Sequence, residues 1–170
     1  VKDTSTVLLV GEEKTYELIE EMIKTCREIF TTDRIHIGMD EAFDIGTGGY
    51  FRRNGYVPTA DIMAAHLKRV SAIVDKYGYK PMMWSDMYST LANKNGKVYD
   101  LDTEISKEVI DAMPDADMVF WNYYKTDNSF YRNNLIKHIK FGKPVHFAGG
   151  IWTWNGQAPN FKWTYLTVKP

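Results

Sequence analysis

Helix-like and strand-like patterns alternate along most of the chain, and this alternation limits the fold more than any other feature of the sequence. Apolar residues recur at helical spacing in four segments, and short apolar runs lie between them. The helical segments are 12–30, 59–77, 103–113 and 128–141, and the apolar runs are 34–41, 80–87, 117–124 and 143–148. Strands that alternate with helices form parallel sheets with right-handed crossovers. We therefore predict an α/β protein.

Four consecutive units of this kind fit either an open doubly wound sheet or part of a (β/α)8 barrel. A complete barrel typically needs about 250 residues, whereas the chain has 170. We predict a parallel TIM barrel that is incomplete in this chain, roughly its second half. Because an uncovered sheet edge is a liability, we expect missing N-terminal sequence or another chain to supply the rest of the barrel.

Composition excludes several classes of partner. The formal net charge of -1 gives no electrostatic basis for binding nucleic acid or an anionic membrane surface. The sequence contains no apolar run long enough to span a membrane and no signal peptide at its start. The single cysteine, Cys26, cannot form an internal disulfide, which is compatible with the cytosol. These features favour a cytoplasmic protein and leave secretion or surface attachment open.

Two adjacent carboxylates, Asp40 and Glu41, end the first apolar run. Ionised groups in buried strands are costly unless they are paired or hydrogen-bonded, and ligands bind at the carboxyl ends of parallel strands. If the strand continues through the doublet, His36, Gly38 and Asp40 share one face, and Glu41 turns toward the same cleft from the following loop. The doublet is typical of acid–base catalysis. The alternative is an acidic loop start that caps the next helix.

Tryptophans cluster at one predicted rim of the sheet. Four of the five stand at or near the carboxyl ends of predicted strands: Trp84, Trp121, Trp152 and Trp154. Period-two alternation puts Asp86 on the face of Trp84 and Tyr123 on the face of Trp121. Any one indole could simply fill the barrel mouth. Indoles bury a large flat area while keeping a polar edge, which suits the C–H faces of pyranose rings, so together with the carboxylates they predict a carbohydrate pocket.

The run His36-Ile37-Gly38-Met39-Asp40-Glu41 resembles the His-x-Gly-x-Asp-Glu motif of glycoside hydrolase family 20, the β-N-acetylhexosaminidases. The longer run 38–48 looks like a bacterial branch of exo-acting enzymes in that family, and the tryptophan positions agree with it. In that family the motif ends the fourth strand of a (β/α)8 barrel. The resemblance therefore implies that residues 1–170 are the C-terminal part of a TIM-barrel catalytic domain, roughly strands 4 to 7/8, with three strands before Val1.

The resemblance also implies a reaction. Such an enzyme removes terminal β-linked N-acetylhexosamine, GlcNAc or GalNAc, from glycans or glycoconjugates by substrate-assisted retaining hydrolysis, without a cofactor. Glu41 is expected to act as general acid/base, and Asp40 to orient the 2-acetamido group that serves as nucleophile. The family's indole walls match Trp84, Trp121 and either Trp152 or Trp154. Tyr123 is expected to donate its hydroxyl to the acetamido oxygen. Tyr124 is the alternative donor, because a bulge would swap the two faces.

Two further positions are assigned less direct parts. We predict that Asp86 binds a sugar hydroxyl and that His36 is a buried, hydrogen-bonded support beneath the carboxylates. A metal-dependent barrel hydrolase would instead use His36, Asp40 and Glu41 as ligands. It would need further ligands on other strand ends, where aromatic residues stand, so no metal is predicted. The non-enzymatic alternative is a carbohydrate-binding fragment that cannot complete the reaction.

Overall fold

The computed structural model describes residues 1–92, 96–102, 104, 106–111, 113–154, 156, 158 and 161–168. Helices and strands alternate in it as the sequence predicts. In chain order the elements are α1 (Glu13–Ile29), β1 (Arg34–His36), α2 (Gly49–Asn54), α3 (Thr59–Lys76), β2 (Lys80–Trp84), α4 (Asp86–Ala92), α5 (Lys107–Asp111), β3 (Asp117–Trp121), α6 (Asn128–Ile139), β4 (Val145–Ala148) and α7 (Phe161–Val168).

The four strands form one parallel sheet in the order β1-β2-β3-β4. Pairing continues beyond β1, since Ile37 N–H donates to the Met82 carbonyl and Trp84 N–H donates to the Gly38 carbonyl. A doubly wound sheet reverses its strand order at a switch point, whereas this order follows the chain. The sheet is therefore consistent with a partial α/β barrel.

The core forms where the sheet meets its covering helices. On α3 the buried residues recur every three or four positions, so one side of the helix is apolar. Met83 on β2 and Met118 and Phe120 on β3 have no exposed surface. The three central residues of β3 are buried, and the two at its ends are half-buried, as is typical of a parallel strand covered on both faces. This packing fixes the strand ends that carry the polar residues of interest.

The sheet has an open side at β1, which pairs only with β2 among the described strands. An apolar cavity of about 460 Å³ lies beside β1, lined in part by Met22, Ile23 and Ile35. Met22 is 60% exposed and Ile29, also on α1, is 66% exposed. Apolar side chains at a strand edge are normally covered in a folded protein.

Two predicted strands are shorter than expected. β1 stops at His36 because Gly38, Met39 and Glu41 adopt positive φ angles of 76°, 74° and 48°, which no strand accommodates. The predicted alternation through Asp40 is therefore wrong. The run 80–87 also divides, since β2 ends at Trp84 and helix α4 begins at Asp86.

Helices occur in two segments without a clear sequence pattern. The segment that follows the acidic doublet is rich in glycine and contains α2. The Asp3 carboxylate fixes the start of this helix, because it accepts the N–H groups of Gly46 at 2.6 Å and Tyr50 at 2.7 Å. The tail contains α7. The helix predicted over 103–113 corresponds to the shorter helix α5. The predicted start at Thr103 lies outside the described residues. None of the helices in the described ranges combines the length and apolar character that crossing a membrane requires.

Candidate active site

A cleft of about 240 Å³ opens at the carboxyl ends of the strands. The segment after β1 contributes the two adjacent carboxylates, and β2, β3 and the segment after β4 contribute aromatic rings. The lining residues are Asp40, Glu41, Trp84, Trp121, Tyr123, Tyr124 and Trp154. Seven residues from four strand ends thus meet in a space somewhat smaller than the roughly 300–1,000 Å³ typical of ligand sites.

The acidic doublet lies at the surface of this cleft. Both Asp40 and Glu41 are exposed, and neither forms an ion pair with any residue in the described part of the chain. The backbone of Glu41 is fixed from below, because its N–H donates to Oδ2 of Asp86 at 2.9 Å. The left-handed turn at Met39 and Glu41 replaces the predicted strand alternation and presents both carboxylates to the cleft.

Aromatic rings form a continuous wall opposite the doublet. The Tyr123 ring lies 5.7 Å from the Trp121 ring and 4.7 Å from the Trp154 ring, measured between centroids. Gly150 makes this approach possible: a Cβ there would stand 2.5 Å from Trp154 and 2.7 Å from Tyr123. The wall therefore depends on the absence of a side chain at Gly150.

The Tyr123 hydroxyl is held protonated. Burial, the neighbouring Tyr124, and the charges of Glu41 and Asp40 together raise the pKa of Tyr123 to about 12. At neutral pH the phenol is therefore a hydrogen-bond donor beside two carboxylates. Tyr124, the alternative donor, also lines the cleft and is more exposed.

His36 does not lie where we predicted it. It is exposed, lines the apolar cavity beside β1, and is absent from the lining of the cleft. Its Nδ1 accepts the Gly38 N–H at 3.1 Å, and its ring lies against Trp84 with centroids 4.3 Å apart. Partial burial lowers the pKa of His36, and the charge of Asp40 opposes this effect. The predicted hydrogen bond is thus present, but the predicted burial is not found in this chain, where β1 is an edge among the described strands.

Asp86 also differs from its predicted position. It has no exposed surface, so it cannot contact a sugar in this structure and lies beneath the cleft. Burial raises the pKa of Asp86, while the Glu41 amide and the indole N–H of Trp121 act in the opposite direction. The difference from the predicted face arises because α4 begins at this residue and turns the side chain inward.

Trp152 supports the wall from behind. It is 6% exposed and is not part of the cleft lining. Its ring stacks on Trp154 at 5.3 Å and on Trp163 at 5.5 Å, and it meets Tyr124 edge-on at 5.0 Å. Of the predicted aromatic residues, Trp84, Trp121, Tyr123 and Trp154 therefore meet the doublet, and Trp152 does not.

A buried polar network underlies the cleft and was not predicted. Ser85 Oγ lies 2.8 Å from Nε2 of His138 and 3.1 Å from the Tyr99 hydroxyl. The Tyr99 hydroxyl in turn accepts a hydrogen bond from the backbone N–H of Trp121, with 3.4 Å between nitrogen and oxygen. Nothing in the sequence signals this network, because its members are far apart in the chain and Tyr99 stands in a segment without periodicity.

Metal binding has no evident donor set in the described part of the chain. No group of three or more His, Cys, Asp or Glu side chains is arranged there to hold an ion.

The chain was compared with known families and structures. The family described as "Glycosyl hydrolase family 20, catalytic domain" matches residues 1–131. The X-ray structure of the Flavobacterium johnsoniae chitobiase is similar in fold, with a TM-score of 0.52 and 16% identity over 89% of this chain and 21% of that chain. A structure of a glycoside hydrolase family 20 β-N-acetylglucosaminidase gives a TM-score of 0.46 and 16% identity, over 86% and 24%. No curated protein matches the chain. The chain spans about a fifth to a quarter of the length of these two structures.

Proposed function

The chain belongs to glycosyl hydrolase family 20, and from this premise we propose that it is the C-terminal part of the TIM-barrel catalytic domain of a β-N-acetylhexosaminidase. Its four strands would be strands 4 to 7 or 8 of that barrel. The enzyme would remove terminal β-linked N-acetylhexosamine from glycans. One observation carries the proposal: the cleft in which Asp40 and Glu41 meet aromatic rings from three other strand ends.

The reaction we propose uses the substrate's own amide as nucleophile. Enzymes with two catalytic carboxylates set them on either side of the glycosidic bond. Asp40 and Glu41 are consecutive residues, and they are the only carboxylates among the described residues that line the cleft. Adjacent carboxylates on one segment do not flank a glycosidic bond, and this arrangement supports attack on the anomeric carbon by the 2-acetamido oxygen.

Each carboxylate then has one part. Glu41 protonates the leaving oxygen and, once the oxazolinium-type intermediate has formed, takes a proton from the attacking water. Asp40 accepts a hydrogen bond from the acetamido N–H and stabilises the positive charge that develops on the amide. Two displacements at the same carbon give net retention.

The aromatic wall supports binding of a single sugar unit. Trp84, Trp121 and Trp154 offer flat apolar surface to the ring and to the acetamido methyl group. Tyr123 would donate its hydroxyl to the acetamido oxygen, and the pKa of about 12 means that it keeps its proton at neutral pH. Donation to that oxygen would orient the amide for attack.

A second candidate function concerns the chain by itself. The open edge at β1 and the apolar cavity beside it favour a chain that binds sugar but lacks one wall of the complete site. We propose that the activity requires the remainder of the barrel, and that the 170 residues alone retain weak carbohydrate binding at most.

Hydrolysis of a chromogenic β-N-acetylglucosaminide tests these proposals, with and without a chelator. It is measured for the 170-residue chain and for the natural full-length protein that contains it. We expect chelator-insensitive release by the full-length protein and none of the matched β-glucoside, which lacks the acetamido group. Equal hydrolysis of both glycosides would rule out substrate assistance, and loss of activity with chelator would indicate the metal-dependent alternative. Release by the short chain would contradict the requirement for the remaining barrel.

A further inference from the structure

We infer that Asp86 is a positioning residue that orients the acid/base group through the Glu41 backbone. This inference rests on the proposed function, because it assigns Asp86 a part in the same site. Asp86 does not reach the cleft, so it acts through Glu41, which does.

The first contact is with Glu41. Oδ2 of Asp86 accepts the Glu41 N–H at 2.9 Å, joining the start of α4 to the segment after β1 across 45 positions of the chain. Hydrogen bonds to a carboxylate are stronger than those between neutral groups. This bond holds the backbone of the residue whose side chain must meet the leaving oxygen.

The backbone at Glu41 needs such a bond. Its φ of 48° and the φ of 74° at Met39 lie in the left-handed region, which side chains other than glycine disfavour. Strained conformations of this kind persist where surrounding contacts fix them, and they are common at functional sites. Without an acceptor at Asp86, the turn would relax and the Glu41 carboxylate would lose its orientation.

The second oxygen of Asp86 has no such partner. Oδ1 of Asp86 and Nε1 of Trp121 are both buried without a hydrogen-bond partner among the described residues. A buried polar group without a partner is costly, so the bond from the Glu41 N–H is the described contact that satisfies this carboxylate in the floor of the cleft.

The residue before Asp86 is fixed by the buried network. Ser85 bonds to Tyr99 and His138, and the Tyr99 hydroxyl also accepts the backbone N–H of Trp121. The network therefore fixes the chain directly before α4, the helix that begins at Asp86.

The substitution Asp86→Asn tests this assignment in the natural full-length protein. The amide keeps the volume of the carboxylate but removes the charge from the acceptor of the Glu41 N–H, which weakens that hydrogen bond. General acid–base catalysis contributes about 10²–10⁴-fold. We expect kcat/KM, which reports the first step, to fall by roughly 10- to 100-fold on an alkyl glycoside, whose leaving group needs the proton. On a dinitrophenyl glycoside, whose leaving group hardly needs it, we expect kcat/KM to fall by about threefold or less.

Asp3→Asn is the matched control. Asp3 is also a buried carboxylate that accepts backbone N–H groups in the segment after the doublet, at Gly46 and Tyr50. It has no contact with Glu41 or Trp121 among its described hydrogen bonds. A purely structural effect of losing a buried carboxylate would lower activity on both substrates by the same factor, as we expect for Asp3→Asn.

A double-mutant cycle with Glu41→Gln gives a second readout. If Asp86 acts through Glu41, Asp86→Asn causes no further loss on the alkyl glycoside once Glu41 is Gln. An additive loss, or a leaving-group profile equal to that of Asp3→Asn, overturns the assignment while leaving the proposed function intact. If Glu41→Gln itself shows no leaving-group dependence, the proposed function fails first. If Asp86→Asn does not fold, Asp86→Glu takes its place, since it keeps the charge and shifts it by one methylene. The measured quantity is again the loss of activity on the alkyl glycoside relative to the loss on the dinitrophenyl glycoside.

Discussion

The charged side chains at the two ends of the sheet differ in whether they form ion pairs. At the amino ends, Asp117 at the start of β3 bonds to Arg34 on β1 and to Nε2 of His146 on β4, the latter at 3.0 Å. At the carboxyl ends, neither Asp40 nor Glu41 has an ion-pair partner among the described residues. Paired charges at one end lower the cost of their partial burial. Unpaired carboxylates beside aromatic rings at the other end are free to interact with a ligand.

This contrast agrees with the usual division of labour in a barrel, where chemistry occupies the carboxyl ends and stability the amino ends. Most of the left-handed backbone outside glycine also lies at the carboxyl ends. Of the four described non-glycine residues with positive φ, Met39, Glu41 and Trp152 lie in segments that follow strands, and Tyr99 lies between α4 and α5. The four predictions below test whether the two ends differ in function as they do in charge.

The largest effect is expected for Glu41→Gln. The amide cannot transfer a proton, so turnover of an alkyl β-N-acetylglucosaminide by the full-length protein should fall about 10²–10⁴-fold. The dinitrophenyl glycoside should be much less affected in its first step, because its leaving group departs without protonation. The two substrates are compared by kcat/KM, which reports the first step, because kcat also includes the second step, in which Glu41 takes a proton from water for either substrate. Undiminished turnover of the alkyl glycoside would falsify the assignment of Glu41.

The next effect is on stability below neutral pH. Burial lowers the pKa of His138, in the floor of the cleft, and of His66, on α3, from the ordinary 6.5 to about 4. As the pH falls, both histidines therefore bind protons in the unfolded chain at a higher pH than in the folded protein. The stability that each neutral histidine contributes is present above pH 6.5 and is lost as the pH falls toward 4.

At roughly 1.4 kcal/mol per pKa unit, the loss is of order 3 kcal/mol for each histidine. Urea unfolding at several pH values between 7 and 4 measures it. His138→Gln should reduce the change in the free energy of unfolding between pH 7 and 4 by about half, and His66→Gln should reduce it by a similar amount. An unchanged slope in both variants would contradict the burial of neutral imidazoles.

A smaller effect is expected for Gly150→Ala. The new Cβ would stand 2.5 Å from Trp154 and 2.7 Å from the Tyr123 ring, so at least one ring must move. Overpacking of this kind costs about 1–3 kcal/mol, and displacement of the wall should raise KM for the N-acetylglucosaminide about tenfold.

Gly149→Ala is the matched control for that prediction. Its added Cβ would meet only the Phe147 ring, at 3.8 Å, which is an ordinary contact. KM should therefore stay within about twofold of the original value, since no wall residue is displaced. Equal changes in the two variants would mean that the aromatic wall does not bind substrate.

The smallest effect belongs to the amino ends. Asp117→Asn removes the ion pair with Arg34, whose side chain is 46% exposed, and partly exposed pairs contribute at most about 1 kcal/mol. Tm should fall by about 2–4 °C, while kcat/KM stays unchanged. A large loss of activity would break the division between the two ends of the sheet.

The sequence predicted the larger organisation well. The parallel sheet is confirmed, and the helices around it follow from apolar periodicity, which the chain expresses locally. Where prediction failed, long-range contacts decided the outcome. The alternation expected through Asp40 gave way to left-handed turns at Met39 and Glu41, which a bond from Asp86 supports across 45 positions.

The candidate site shows the same limit. Residue type and position at a strand end were enough to bring Trp84, Trp121, Tyr123 and Trp154 together with the doublet. They were not enough for His36, which lines the cavity beside β1 and not the cleft.

By itself, the sequence determined which chemistry meets at one rim of the sheet, because parallel strands bring their carboxyl ends together whatever their loops do. Only the tertiary structure decided which groups face the cleft and which lie beneath it. Asp86 lies beneath the cleft because a helix starts where a strand was expected to continue. Trp152 lies behind the aromatic wall because Trp154 stacks between it and the cleft. Orientation at a strand end depends on contacts between distant segments, and no local pattern of residues encodes those contacts.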